Sequence, residues 1–135
     1  MSLVVFVYGT LKRGFANHDV LSRARPLGRA RTREAYPLAV AGPQFLPILL
    51  RRPGEGRRVF GEIYEIDGLT LEALDELEGV DHADGYRRET IPVVGEPGGA
   101  VRDAIVYFKK EPAAGFHTPW LEDYQDRRYR AHGFP

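Results

Sequence analysis

An α+β domain is the class this sequence predicts, on three observations. Short apolar runs suited to strands recur along the chain, one stretch carries the marks of an amphipathic helix, and two late strands joined by a Gly/Pro-rich loop read as an antiparallel hairpin. At 135 residues the chain fits one domain, 1–135, long enough to bury roughly two-thirds of its unfolded surface.

The first run, Val4-Val5-Phe6-Val7, is too short for a helix and suits a strand covered on both faces. Tyr8, Gly9, Thr10 and Leu11 then turn the chain at the strand's C-terminal end. Gly9 has no Cβ to hold a ligand off the main chain, and the successive N–H groups of Gly9, Thr10 and Leu11 converge on one concavity if the turn has the right dihedrals. Such a nest favours a carboxylate, or an oxygen that gains charge during a reaction. An ordinary tight turn explains the same residues. In the polar loop after this turn, Lys12, Arg13, Asn17 and His18 are within reach of a ligand bound there, and each is also what a solvated surface carries. A short helical stretch begins at Asp19-Val20-Leu21.

Residues 28–40 read as a strand, with Arg29, Arg31 and Arg33 on one face and Ala30 and Thr32 on the other. An arginine ladder suits a phosphate-rich partner, but nothing aromatic is interleaved here, which favours a solvated face. Pro47 demotes the apolar run 45–50 to an edge strand or bulge. Residues 51–58, with Pro53-Gly54-Glu55-Gly56, read as a hairpin-like turn. The next strand, 59–66, alternates, and puts Glu62 on a mainly apolar face beside Phe60, Tyr64 and Ile66. Glu62 is thus either a catalytic carboxylate or a paired edge residue, and Gly61 marks a bulge or a close approach by another backbone.

Residues 70–79 form the clearest helix, with Thr70 as its expected cap, an acid in its first turn and Gly79 as a left-handed stop. Leu71, Leu74, Asp75 and Glu78 follow the i, i+3, i+4, i+7 rule, so two carboxylates share the inward stripe while Glu72 and Glu76 face water. Burial, the helix C-terminus and the neighbouring Asp75 would all raise the pKa of Glu78 and suit it to general acid–base work. The alternative is a rim position paired with Arg87 or Arg88.

Asp81-His82-Ala83-Asp84 lacks the spacing of a calcium loop and reads as a polar turn. Strands at 86–94 and 101–108 make the hairpin. In the tail, Thr118-Pro119-Trp120 reads as a helix start and Leu121, Tyr124 and Arg128 as a helical stripe, with Trp120 and Tyr124 as packing residues; Gly133-Phe134-Pro135 end the chain.

Lysine plus arginine equals aspartate plus glutamate at 19 each, so no global field steers the chain to nucleic acid or anionic lipid, and a small-molecule partner is expected. Absence of cysteine excludes disulfide and thiolate chemistry and fits a reducing compartment. No signal-peptide pattern or membrane span is evident, so a cytoplasmic protein, with no obligate protein partner, is the expectation.

Several of these motifs occur in an order that resembles the gamma-glutamylcyclotransferase-like family, most closely its gamma-glutamylamine cyclotransferase branch. They are residues 5–14 with Asn17-His18, Tyr36-Pro37-Leu38, Gly61-Glu62-Ile63-Tyr64, and Leu74-Asp75-Glu76-Leu77-Glu78 with Tyr86. The likeness covers roughly residues 3–108 and is weakest in the tail. It implies a small mixed β-barrel flanked by a few short helices, a substrate cavity formed at Tyr8, Gly9, Thr10 and Leu11, and Glu78 as the catalytic glutamate. The implied reaction turns a γ-glutamyl amine, such as γ-glutamyl-ε-lysine, into 5-oxoproline and the free amine, with no metal or cofactor. The alternatives are the same chemistry on another γ-glutamyl-tagged metabolite, or a small-ligand-binding module without catalysis.

Overall fold

The computed structural model describes residues 3–81, 83 and 85–130. Among the described residues there are seven strands: β1 (Leu3–Val7), β2 (Arg25–Tyr36), β3 (Leu38–Ala41), β4 (Leu46–Leu49), β5 (Arg57–Ile66), β6 (Arg87–Glu96) and β7 (Val101–Phe108). They are joined by a 3-10 turn (His18–Leu21) and one helix, α1 (Gly68–Glu78). The strands β1-β5-β2-β6-β7 close into a barrel, while β3 and β4 form a separate two-stranded sheet. Closure is parallel, Val5 against Ile105, and the other barrel pairings are antiparallel, so the barrel is mixed as the resemblance implied.

Strand alternation sorts the apolar residues into two layers. Phe6, Ile63, Ala30, Val93 and Val106 join the barrel core, while Val5, Val7, Tyr64, Ile66 and Tyr107 form the outer layer on which Leu74 of α1 packs. That explains the uninterrupted apolar run of β1, whose two faces are both covered. Gly61 is where a Cβ would collide with the Val7 carbonyl oxygen and the Phe6 ring, so the close backbone approach expected there is present.

Several expectations are corrected. The run 28–40 is two strands, because Pro37 ends β2 and the chain leaves the barrel into β3. The turn at 51–58 joins no hairpin, since β5 pairs with β1 and β2 and not with β4. Helix α1 begins at Gly68 and is capped by Asp67, whose carboxylate accepts the Thr70 N–H at 2.7 Å. Thr70 is therefore an interior helical residue, and the first turn carries no acid. Gly79 does stop the helix in the left-handed region, at φ 65°.

The expected tail helix is absent: residues 109–130 hold no helix. Their main chain bonds to the barrel and its side sheet instead. His117 N–H donates to Val40 O, Leu121 N–H to Leu38 O, and Glu122 O accepts from Phe60 N–H, each at 2.7 Å. These long-range bonds compete directly with the intrahelical ladder that the periodicity suggested. Tyr124 is fully buried, as expected of a packing residue, while Trp120 is partly exposed and meets Phe116 edge-on. Residues 133–135 lie outside the described residues.

Candidate active site

The first turn and the end of α1 face one small cavity of about 80 Å³. Tyr8, Gly9, Thr10, Leu11 and Glu78 all line it, with Asn17, Pro47, Leu77, Tyr86, Tyr107 and Tyr129. The space takes several waters, or a compact polar group in their place.

The chain reaches this arrangement by local steps. Strand β1 delivers Tyr8 inward, and its hydroxyl donates to the Tyr107 carbonyl of β7 at 2.6 Å. The turn then closes through Lys12 N–H to Gly9 O at 3.1 Å and Asn17 N–H to Thr10 O at 2.8 Å. Among the described residues, no hydrogen bond of this turn uses the N–H of Gly9, Thr10 or Leu11. Gly9 has a packing reason that sequence reasoning missed: a Cβ there would lie 2.5 Å from Pro47 Cγ, so its bare Cα admits the proline ring.

Glu78 is brought in by the helix phase and held by the segment that leads from α1 into β6. Tyr86 N–H caps the Glu78 main-chain oxygen at 2.8 Å, and Gly85 lies so close to the Gly79 carbonyl that a Cβ there would overlap it. Burial pushes the Glu78 carboxyl up from 4.5 to about 7, against a lowering influence from Lys109. The expected help from Asp75 is not found. Asp75 is committed elsewhere, accepting from the Tyr107 hydroxyl at 2.8 Å and from Arg88 at 2.7 Å, and that cation offsets its charge. The rim pairing of Glu78 with Arg87 or Arg88 is likewise not seen, because Arg88 takes Asp75.

Burial also raises the Tyr8 and Tyr86 hydroxyls well above 10, so both stay protonated; Tyr86 donates to Pro47 O at 2.5 Å. Glu78 is the single carboxyl among the described lining residues, which include no Lys, Arg or His.

The other candidates separate cleanly. Of the loop residues, only Asn17 lines the cavity. Lys12 is buried against Asp123 and the Tyr124 carbonyl, and His18 Nδ1 lies 3.0 Å from Leu11 O. Glu62 lies outside the cavity and accepts from Tyr64 Oη at 2.8 Å and Arg13 N–H at 2.9 Å, which makes it a brace for the loop after β1. Arg29 and Arg33 are exposed, whereas Arg31 lies 3.9 Å over the Phe60 ring. His82 and Asp84 lie outside the described residues, and among those described no cluster of three or more His, Asp or Glu is placed to hold a metal.

Among the polar wall residues, sequence reasoning missed Tyr107 and Tyr129, since each reads locally as strand or tail packing. A roomier groove of about 650 Å³ also touches Tyr86, but its acids Glu89 and Glu111 are ion-paired to Arg51 and Arg52.

Fold and cavity together define a small mixed-barrel protein whose cavity is lined by Glu78 and by the turn residues Gly9, Thr10 and Leu11. The chain belongs to the gamma-glutamyl cyclotransferase, AIG2-like family, whose model matches residues 5–131, and it is an enzyme of that type. It is 44% identical over 129 residues to a gamma-glutamylaminecyclotransferase of Bos taurus, covering 91% of this chain and 76% of the relative. The protein of the same name from Rattus norvegicus is 40% identical over 129 residues, covering 87% of this chain and 82% of the relative. The crystal structure of an AIG2-like protein from Mus musculus superposes with a TM-score of 0.87 at 34% identity, covering 99% of each chain. Among the described residues, no helix is long and apolar enough to cross a membrane.

Proposed function

We propose that this enzyme cyclises a γ-glutamyl amine, such as γ-glutamyl-ε-lysine, to 5-oxoproline and the free amine, with Glu78 as general acid–base. The reading is carried by one observation: a carboxyl raised to about 7 shares a small cavity with Gly9, Thr10 and Leu11, whose N–H groups enter no hydrogen bond of the turn among the described residues. The names of the Bos taurus and Rattus norvegicus relatives support an amine as the expelled group.

Ionised Glu78 takes a proton from the substrate's α-ammonium. The freed nitrogen attacks the γ-carbonyl carbon, closing a five-membered ring and placing negative charge on the carbonyl oxygen. The turn amides of Gly9, Thr10 and Leu11 receive that oxygen or the α-carboxylate, as fixed donors needing little reorganisation. Collapse breaks the bond to the amine nitrogen, which takes the first proton back from Glu78; the carboxylate then relays the second proton from the ring nitrogen to the amine, leaving a neutral lactam N–H and an ammonium product. No water is consumed and no protein nucleophile is needed. Confining a floppy chain in its ring-closing shape supplies the rest, up to about 7 kcal/mol or more in favourable cases. The substrate is a small molecule, and a chain without cysteine fits a cytoplasmic setting.

The test is Glu78→Gln, which keeps shape but takes no proton. It is expected to abolish 5-oxoproline release from γ-glutamyl-ε-lysine while the folded circular-dichroism spectrum is retained. Full turnover by that variant would remove Glu78 from the reaction, and a panel of γ-glutamyl compounds identifies the preferred amine.

A further inference from the structure

The tail after β7 is tied down on both sides of the cavity. On one side, Lys12 Nζ reaches Asp123 Oδ1 at 2.7 Å and the Tyr124 carbonyl at 2.6 Å. Arg127 there donates to Gly14 O at 2.6 Å, with its guanidinium 3.8 Å over the Phe15 ring. On the other side, Tyr124 Oη donates to Phe45 O at 3.3 Å, Arg128 lies 4.4 Å over the Phe45 ring, and Arg130 N–H donates to Gln44 O at 2.9 Å. The strap thus runs from the loop after β1, which contributes cavity wall, to the β3–β4 turn, which leads directly into the wall residues Leu46 and Pro47 of β4. Tyr129, between the anchors, lines the cavity.

Its hydroxyl is set for use. Asn17 Nδ2 donates to Thr10 Oγ1 at 2.9 Å and to Tyr129 Oη at 3.4 Å, so the tyrosine oxygen is the acceptor in that pair. Among the described residues, no acceptor is found for the Tyr129 O–H itself. A tyrosine has one such proton, and here it is left for a ligand. The fixed strap means that ordering the ring costs little when substrate arrives.

We propose that Tyr129 is a substrate-contacting specificity residue: its O–H donates to an acceptor oxygen of the bound γ-glutamyl compound, and its ring limits the bulk of the departing amine. This rests on the cyclotransferase reading above. It adds a role for the tail, which assembles part of the site from a segment far from the helix and the turn in sequence.

The experiment compares wild type, Tyr129→Phe and Tyr129→Ala. Each is assayed on the γ-glutamyl amides of methylamine and benzylamine, and each is titrated with 5-oxoproline by calorimetry. Tyr129→Phe is expected to raise KM and weaken 5-oxoproline binding about tenfold, with the benzylamide-to-methylamide ratio of kcat/KM unchanged. Tyr129→Ala is expected to raise that ratio at least about fivefold, because the wall is gone. A purely structural residue would lower both substrates equally and leave the ratio alone, which would overturn the proposal, as would wild-type constants in Tyr129→Phe. If wild type cyclises the amides while Tyr129→Phe matches it, only this inference fails. If wild type neither cyclises them nor binds 5-oxoproline, the cyclotransferase reading fails and takes this inference with it.

Discussion

The Tyr107 hydroxyl donates to Asp75 Oδ1 at 2.8 Å, fastening helix α1 to strand β7 one turn before Glu78. Arg88 occupies the other oxygen at 2.7 Å, so the Asp75 charge one turn before Glu78 is offset by a cation. Asp75→Asn is expected to cost less than about 1 kcal/mol, since its exposed ion pair is weak and the amide oxygen still accepts from Tyr107. It should leave the pH dependence of turnover in place. A lowered midpoint in that variant would show that Asp75 does act on Glu78. Tyr107→Phe removes a hydrogen bond without adding bulk and is expected to cost about 1 kcal/mol in urea unfolding.

Turnover should rise with pH through about 7, because the proposed base is the ionised form of Glu78. Lys109 favours that form, so Lys109→Met should move the midpoint of kcat/KM upward. A profile flat across the neutral range, or a downward shift in Lys109→Met, contradicts the assignment.

Stability should run the other way. The folded chain holds the Glu78 proton up to about 7, whereas an exposed carboxyl loses it near 4.5. Between these values the unfolded state binds fewer protons, so this group's contribution is full at low pH and is lost as pH rises through 7, about 3 kcal/mol in all. Glu78→Gln should therefore be more stable than wild type at about pH 8, and the gap should shrink toward about pH 5. Parallel unfolding curves across that range would mean that the carboxyl is solvated.

Gly85→Ala tests how the helix end is positioned. The new Cβ would overlap the Gly79 carbonyl oxygen and lie 3.0 Å from that of Glu78, so the end of α1 has to move. The expected cost is about 1–3 kcal/mol, the range for overpacking, together with a loss of turnover larger than the stability change explains. Wild-type kcat in a folded Gly85→Ala protein would show that the site tolerates that shift.

The buried Lys12–Asp123 pair predicts an asymmetry, since the side chains are 5% and 32% exposed. Asp123→Ala strands a buried ammonium and is expected to cost about 3–5 kcal/mol. Lys12→Met leaves only a carboxylate that water can reach, and should cost less. Equal losses measured by denaturation would mean that the cation is not buried as found.

Much of the site was legible locally. The helix phase put Glu78 on the inward stripe and the alternation of β1 placed Tyr8 at a turn, because side-chain direction follows from the 3.6 and 2.0 periods alone. The cap was misplaced at Thr70 because Asp67 and Thr70, three positions apart, both carry a capping oxygen, and only geometry shows that Asp67 accepts the helix's free N–H. The tail misled for a different reason: its helical spacing is real, but its backbone finds barrel partners at Val40, Leu38 and Phe60.

By itself, then, the sequence determined which residues face inward, where the acid stands on its helix, and that no cysteine chemistry is available. Only the tertiary structure decided what surrounds that acid. The tyrosines at 86, 107 and 129, the loss of Asp75 to Arg88, and the Lys12–Asp123 tie across 111 positions join segments that local periodicity does not relate. The raised pKa of Glu78 is a property of that enclosure, since desolvation depends on which distant side chains exclude water.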